Sequence, residues 1–225
     1  LFLFVVLLFV VFVVFRVVCC LRSVVALFVF LCCVVFRFVL VFVLFVFCVC
    51  VAWMRERAQS LGKVLCGSMV IRAADQYFNR FIWAMPEGEL RWYDKRHLFR
   101  MANEHEHYAA GSERITLELY GWRIRPAVCY DLRFPVWLRN RGDYDVLLVV
   151  ANWPAARRVA WQSLLRARAI ENQAYCVGVN IVGDDGNGLH YAGGSGVYAH
   201  DGEELSECGN TPSVVTQVLP WQSLQ

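Results

Sequence analysis

The sequence predicts an α/β domain over residues 51–225, preceded by an apolar segment of different character. Three observations carry that reading. Strand-like and helix-like patterns alternate along the chain after Val51. Two short runs, Val146 to Ala151 and Tyr175 to Val182, are apolar at almost every position, the form taken by strands buried on both faces. Between them, Arg157 to Gln173 reads as a helix, with Ala160, Leu164, Ala167 and Ile170 on its buried side.

Val51 to Leu61 predicts a first helix, with Trp53, Met54, Ala58 and Leu61 at helical spacing and Gly62 as its C-cap. Lys63 to Arg72 and Tyr77 to Met85 predict strands joined by a polar turn at Ala74 and Asp75. Pro86, Glu87 and Gly88 turn the chain into a short strand, Leu90 to Tyr93, and a polar loop runs from Asp94 to Gly111. Gly121 separates the expected strands Ile115 to Tyr120 and Trp122 to Val128, and the second runs straight into Cys129. Trp153 and Pro154 end the Val146 strand. Asp184 to Gly196 is Gly-rich and turn-like, with late strands expected at Val197 to Ala199 and Val214 to Val218. No internal repeat is visible.

Residues Leu1 to Cys50 are built almost wholly from Val, Phe, Leu and Cys, with Arg16, Arg22 and Arg37 as the charged residues and no Asp, Glu, Gly or Pro. Neither period 2 nor period 3.6 separates an apolar face from a polar one. Two readings compete. The segment is translated T-rich repetitive DNA, since Phe, Leu and Val codons share a central T and Cys and Arg follow on changing it to G. Alternatively it is a membrane anchor of one or two spans, in which case a buried Arg costs about 2.5 to 3.5 kcal/mol. A signal peptide fits worse, because a basic start and a small-residue cleavage site are lacking.

Of the 10 cysteines, only Cys66, Cys129, Cys176 and Cys208 lie outside that segment. They form neither a C-x-x-C pair nor a disulfide framework, which points to a reducing, cytoplasmic compartment. A formal net charge of +3, with basic and acidic residues interspersed after Val51, argues against a nucleic-acid partner.

Three stretches carry chemistry. In the first, the apolar strand ends in Cys129, Tyr130, Asp131, Leu132, Arg133, Phe134 and Pro135. A Cys there can present its sulfur in a cleft while the following backbone N–H groups point at the same space, as an oxyanion hole requires. Taken alone, such a Cys is a small buried hydrophobe. The second stretch is Tyr93 to Phe99, containing Lys95, which alone reads as a solvated surface lysine. The third is Glu104 to Gly111. His97, His105 and His107 match no standard zinc spacing, and a metal is the minor reading.

The wording YDKRHLFR, NEHEHYAAG, CYDLRFPVW, ANWPAAR, RARAIENQAY and YAGGS, in this order, resembles the nitrilase (carbon-nitrogen hydrolase) superfamily, and within it the bacterial omega-amidase branch. The resemblance covers nearly everything after Val51. It implies a four-layer α-β-β-α sandwich that dimerises and needs no metal or organic cofactor. It also implies Cys129 as nucleophile, Lys95 as its electrophilic partner and Glu104, rather than Glu106, as the glutamate that orders the lysine. The Tyr130 N–H would complete the oxyanion hole, with Asn152 and Trp153 lining the pocket. The implied substrate is the terminal amide of a small α-keto acid, and carbamoylase or nitrilase chemistry is the alternative.

The sequence also departs from that pattern. The family's general-base glutamate precedes the helix that begins here near Val51, and Leu1 to Cys50 offers no carboxylate to match it. The first strand-helix unit is replaced by the apolar segment, and Trp221 to Gln225 resembles the start of a closing segment. The expectation is therefore an impaired amidase, or an inactive or membrane-anchored fragment.

Overall fold

The computed structural model describes residues 49–224. Contacts divide the chain into two units, Leu1–Cys50 and Val51–Gln225, and nearly all the described residues fall in the second. The readings of residues 1–48 lie outside the described residues.

Helix α1 occupies 51–61 of the second unit. It buries Met54 and Ala58, one turn apart, and leaves Trp53 and Leu61 more than half exposed, so the buried stripe is narrower than the sequence spacing predicted. Gly62, at φ +59°, ends it with its own N–H on Gln59 O and the Lys63 N–H on Ala58 O, a left-handed cap.

Strands β1 (Leu65–Ala73) and β2 (Gln76–Ala84) pair antiparallel through a two-residue turn, Ala74 and Asp75, both at positive φ. That is the turn whose twist matches paired strands. Strand β3 (Leu90–Asp94) adds to β2, giving a sheet of order β1-β2-β3. The expected polar loop contains a 3-10 turn, Arg100–Ala102, and one short α-helix, α2 (Glu104–His107). Strand β4 (Leu117–Leu119) is shorter than predicted, whereas β5 (Trp122–Val128) has the predicted bounds. Helix α3 (Pro135–Leu138), strand β6 (Val146–Ala151), helix α4 (Arg158–Asn172) and strand β7 (Tyr175–Asn180) follow.

Strands β8 (Val182–Asp184) and β9 (His190–Ala192) form a hairpin of their own inside the Gly-rich stretch. Strands β10 (Gly196–Tyr198) and β11 (Glu204–Glu207) complete a six-stranded sheet of order β11-β10-β7-β6-β5-β4, with β5, β6 and β7 parallel. The strand expected at Val214 to Val218 does not form. Those residues lie as exposed coil, Val214 at 97% exposure, and the late edge strand is instead the polar β11, paired to β10. Apolar content without a pairing edge does not make a strand.

Period-2 alternation sorts the strand residues into layers. On β2, Ile82 and Ala84 meet Met54 and Ala58 of α1, while Phe81 and Trp83 face the other sheet. On β6, Val146 and Val150 join Phe81, Trp83 and Tyr93 between the sheets, while Leu147, Val149 and Ala151 meet Trp161, Leu165 and Ala169 of α4. The order is therefore helix, sheet, sheet, helix: the four-layer α-β-β-α sandwich.

On α4 the buried stripe is Trp161, Leu165, Arg168, Ala169 and Asn172, rotated from the predicted Ala160, Leu164, Ala167 and Ile170; Ala160 and Leu164 pack partly against the core, and Ile170 is 49% exposed. The predicted face, built from apolar residues, did not include Arg168 or Asn172. They are buried because the Arg168 guanidinium donates twice to Leu132 O, and Asn172 Oδ1 accepts the Asn140 N–H.

Candidate active site

The site lies at the carboxyl ends of the parallel strands, where open α/β sheets bind ligands. Strand β5 delivers Cys129, and β6 delivers Asn152 and Trp153. Cys129 itself sits at φ +49°, a left-handed conformation sparsely populated by non-glycine residues. The chain then tightens into a 3-10 turn, Cys129–Arg133. Strain at a residue the surroundings hold firmly is the usual mark of a functional turn.

Lys95 follows β3 and is 1% exposed. Its Nζ donates to both oxygens of Glu104 at 2.8 and 2.6 Å, and Glu104 Oε2 also accepts the Phe99 N–H at 2.6 Å. The backbone of Lys95 is fixed as well: its N–H reaches Asn79 O, and its carbonyl accepts the Gly111 N–H. Gly111 has to be glycine, because a Cβ there would lie 2.1 Å from the Asp94 carbonyl oxygen. Lys95 is thus a buried ion-pair residue, and its surface reading is discarded.

The Cys129 Sγ lies 3.9 Å from the Asn152 carbonyl oxygen. Burial pushes its thiol pKa up; Lys95 pulls it down, Glu104 pushes it up again, and the net effect is a raised value. A raised value favours the thiol over the thiolate. Attack on a carbonyl therefore needs a proton acceptor at hand.

A cavity of about 230 Å³ opens over the thiol. Its lining includes Glu104, Cys129, Tyr130, Asn152 and Trp153, all anticipated from sequence, whereas Lys95 stands behind Glu104 and does not line it. The lining also includes residues that sequence reasoning missed. Arg133 stacks over the Trp153 ring at 5.2 Å, and Arg157 over the Phe99 ring at 4.9 Å. Leu189 and Tyr191 arrive from the β9 end of the small hairpin. Arg157 had a local signal, since it follows Trp153-Pro154 at the expected pocket edge. Tyr191 had none.

Asn180 orients Trp153 from β7: its Oδ1 accepts the Trp153 N–H at 2.7 Å, and its Nδ2 donates to Trp153 O and Gly193 O. His97 holds its Nδ1 2.8 Å from Asp131 and stacks on Phe134, while His105 and His107 are exposed on α2. Among the described residues no cluster of three or more His, Cys, Asp or Glu is arranged to hold a metal. A larger apolar groove of about 590 Å³ along β7 and β10 has no charged residue in its lining and offers Cys208 as its one thiol.

The sandwich is that of the carbon-nitrogen hydrolases; that family model matches residues 46–225, and the chain belongs to the family. Among its relatives is Omega-amidase YafV of Escherichia coli (strain K12), 56% identical over 156 residues that make up 69% of this chain and 61% of YafV. The 2-oxoglutaramate amidase of Bacillus subtilis (strain 168) is 35% identical over 175 residues, 76% of this chain and 67% of that protein. Among solved structures, XC1258 from Xanthomonas campestris, a CN-hydrolase superfamily protein with an arsenic adduct in the active site, superposes with a TM-score of 0.76. It is 52% identical, over 77% of this chain and 69% of that one. The chain thus spans less than two thirds of the length of YafV.

Proposed function

We propose that the chain carries the site of an omega-amidase, hydrolysing the terminal amide of a small α-keto acid through a Cys129 thioester. The observation that carries this reading is the buried Lys95–Glu104 pair, whose glutamate lines the same cavity as the Cys129 thiol at a strand end. The relatives named Omega-amidase YafV and 2-oxoglutaramate amidase support the substrate class. So does the lining: Arg133 and Arg157 place two guanidinium groups around a small cleft, suited to a substrate whose far end is a carboxylate.

In the proposed mechanism the thiol proton passes to a general-base carboxylate, or to water where that base is lacking, as Cys129 Sγ attacks the amide carbon. The reading assigns the oxyanion to the Tyr130 backbone N–H and the Lys95 ammonium, which has to turn from Glu104 toward the cleft to reach it. The C–N bond breaks with proton transfer to nitrogen, and ammonia leaves. Water then adds to the thioester carbonyl through the same oxyanion site, and the C–S bond breaks to return the thiol and release the acid. Asn152 and Trp153 shape the acyl pocket. No metal or organic cofactor takes part.

Glu104 is held by Lys95 and the Phe99 N–H, which suits it to order the lysine rather than to shuttle protons. The family pattern places the general base ahead of α1, where residues up to Cys50 include no Asp or Glu; Glu56, the first carboxylate, is exposed on α1. Loss of a general base lowers the rate by about 10² to 10⁴, so we propose an impaired enzyme. The same reading takes the protein as cytoplasmic, a homodimer if the domain is complete, with a small-molecule amide as its partner and no nucleic acid, a membrane entering only if residues 1–50 insert.

The test measures ammonia released by the purified chain from an α-keto acid ω-amide, with a nitrile and an N-carbamoyl amino acid as competitors. Activity at least about 10²-fold below a complete relative, selective for the ω-amide and abolished by Cys129→Ala, is expected. Activity that survives Cys129→Ala, or favours the nitrile, would overturn the reading.

A further inference from the structure

Cys129 and Lys95 come from different sheets, one after β5 and the other after β3. The contact between the sheets is apolar, built from residues such as Phe81, Trp83, Val128 and Val150. Such burial is non-directional and cannot by itself fix the register of one sheet on the other. A directional link has to set the spacing of the thiol and the ammonium.

That link converges on one side chain. Asp131, with none of its surface exposed, accepts the Val128 N–H at 3.1 Å and the Tyr93 hydroxyl at 2.8 Å on one oxygen. Its other oxygen accepts the His97 backbone N–H at 2.9 Å and stands 2.8 Å from His97 Nδ1. Val128 precedes the thiol residue, and Tyr93 and His97 stand two positions on either side of Lys95. The Tyr93 hydroxyl accepts from the Arg96 N–H and from Trp137 Nε1, so its own proton is directed at Asp131. Among the described residues, the hydrogen bonds joining the segment 93–99 to the end of β5 and the turn after it all end on Asp131 or on this hydroxyl.

We propose that Asp131 is the positioning residue that sets the distance between Cys129 and Lys95, tying the lysine segment of one sheet to the thiol-bearing strand end of the other. The inference rests on the reading of those two residues as the reacting pair. A carboxylate suits the role because its partners include three fixed donors, two of them backbone N–H groups. An asparagine in its place would turn an NH₂ toward one of those N–H groups, leaving a buried donor unpaired and the clamp half open.

The readout is the rate of Cys129 alkylation by iodoacetamide against pH in the full chain, followed by peptide mass spectrometry with Cys66 as internal reference. Lys95→Gln should move the Cys129 profile to higher pH, slowing reaction at pH 7 by about tenfold for each unit moved. Asp131→Asn should move it the same way, and the double variant should move no further than the larger single shift. A wild-type profile in Asp131→Asn, or shifts that add in the double variant, would overturn the proposal whatever happens to the melting temperature. Should Asp131→Asn not fold, Tyr93→Phe removes one bond of the clamp while sparing the carboxylate; a smaller shift in the same direction supports the proposal, and none overturns it. If Lys95→Gln leaves the wild-type profile unmoved, the reacting-pair reading fails instead, a result separable from failure of the clamp.

Discussion

Lys95 and Glu104 are unequal partners. The lysine side chain is 1% exposed and the glutamate 19%, so each responds differently to losing the other. Removing the carboxylate with Glu104→Gln strands an ammonium in the interior, and breaking a buried pair in that way costs about 3 to 5 kcal/mol. Partial solvent access near Glu104 lowers the expectation to about 2 to 4 kcal/mol. Lys95→Met removes the deeper charge and leaves a carboxylate that can turn toward water, so its cost should be smaller. Urea unfolding at pH 7 of both variants checks the order, and equal losses would contradict the asymmetry. Cys129 gives a second expectation at this scale. With its thiol raised by burial, its alkylation should keep accelerating as pH rises past the ordinary cysteine range.

At the scale of elements, α4 and β7 approach so closely that a Cβ on Gly178 would lie 2.4 Å from Leu165 Cδ1. Gly178→Ala therefore overpacks the layer and should destabilise by about 1 to 3 kcal/mol. Leu165→Ala alone opens a cavity and should cost about 2 to 5 kcal/mol. In the double variant the new methyl occupies space the leucine vacated, so the loss should fall short of the sum; additive losses in thermal unfolding would refute the contact. The same helix marks the limit of what the sequence made legible. Its existence and bounds could be read, because helix-forming residues run unbroken from Arg158 to Asn172. Its buried face could not, because Arg168 and Asn172 are interior through hydrogen bonds to Leu132 and Asn140, partners far off in the chain. Strand β5 and the position of Cys129 at its end were legible from local pattern, whereas the role of its thiol came from the family resemblance. Arg133 and Tyr191, and the Asp131 clamp, were not, since their roles exist only once separate loops meet over the thiol. The strand expected at Val214 to Val218 failed for a related reason: strand pairing is decided by the neighbour, and β10 pairs with the polar β11 instead.

Across the whole molecule, the parallel strands divide the labour between their two ends. The carboxyl ends present the cleft, while the opposite end is laced by ion pairs, Arg123 to Asp145 at 2.6 Å and Arg125 to Asp143 at 2.6 Å. Burial pushes the Asp145 carboxyl up, but the Arg123 guanidinium and backbone N–H bonds outweigh it and hold the folded pKa below the ordinary value. For a carboxylate depressed in this way, the stabilisation is present above the unfolded-state pKa near 3.9 and is lost as pH falls through the lower folded value. Asp145→Asn should accordingly remove about 1.5 to 3 kcal/mol at pH 7, the range for hydrogen bonds to charged groups. It should also flatten the acid limb of stability below about pH 4, so that variant and wild type converge there. Because this lattice sits at the far end of the sheet from the thiol, the pH profile of Cys129 alkylation should stay that of the wild type. Urea midpoints from pH 2 to 8, taken beside the alkylation profile, read both effects in one set of samples. A midpoint difference that persists unchanged at pH 2 would show that Asp145 acts through packing rather than charge, and a displaced Cys129 profile would show that the two ends of the sheet are coupled.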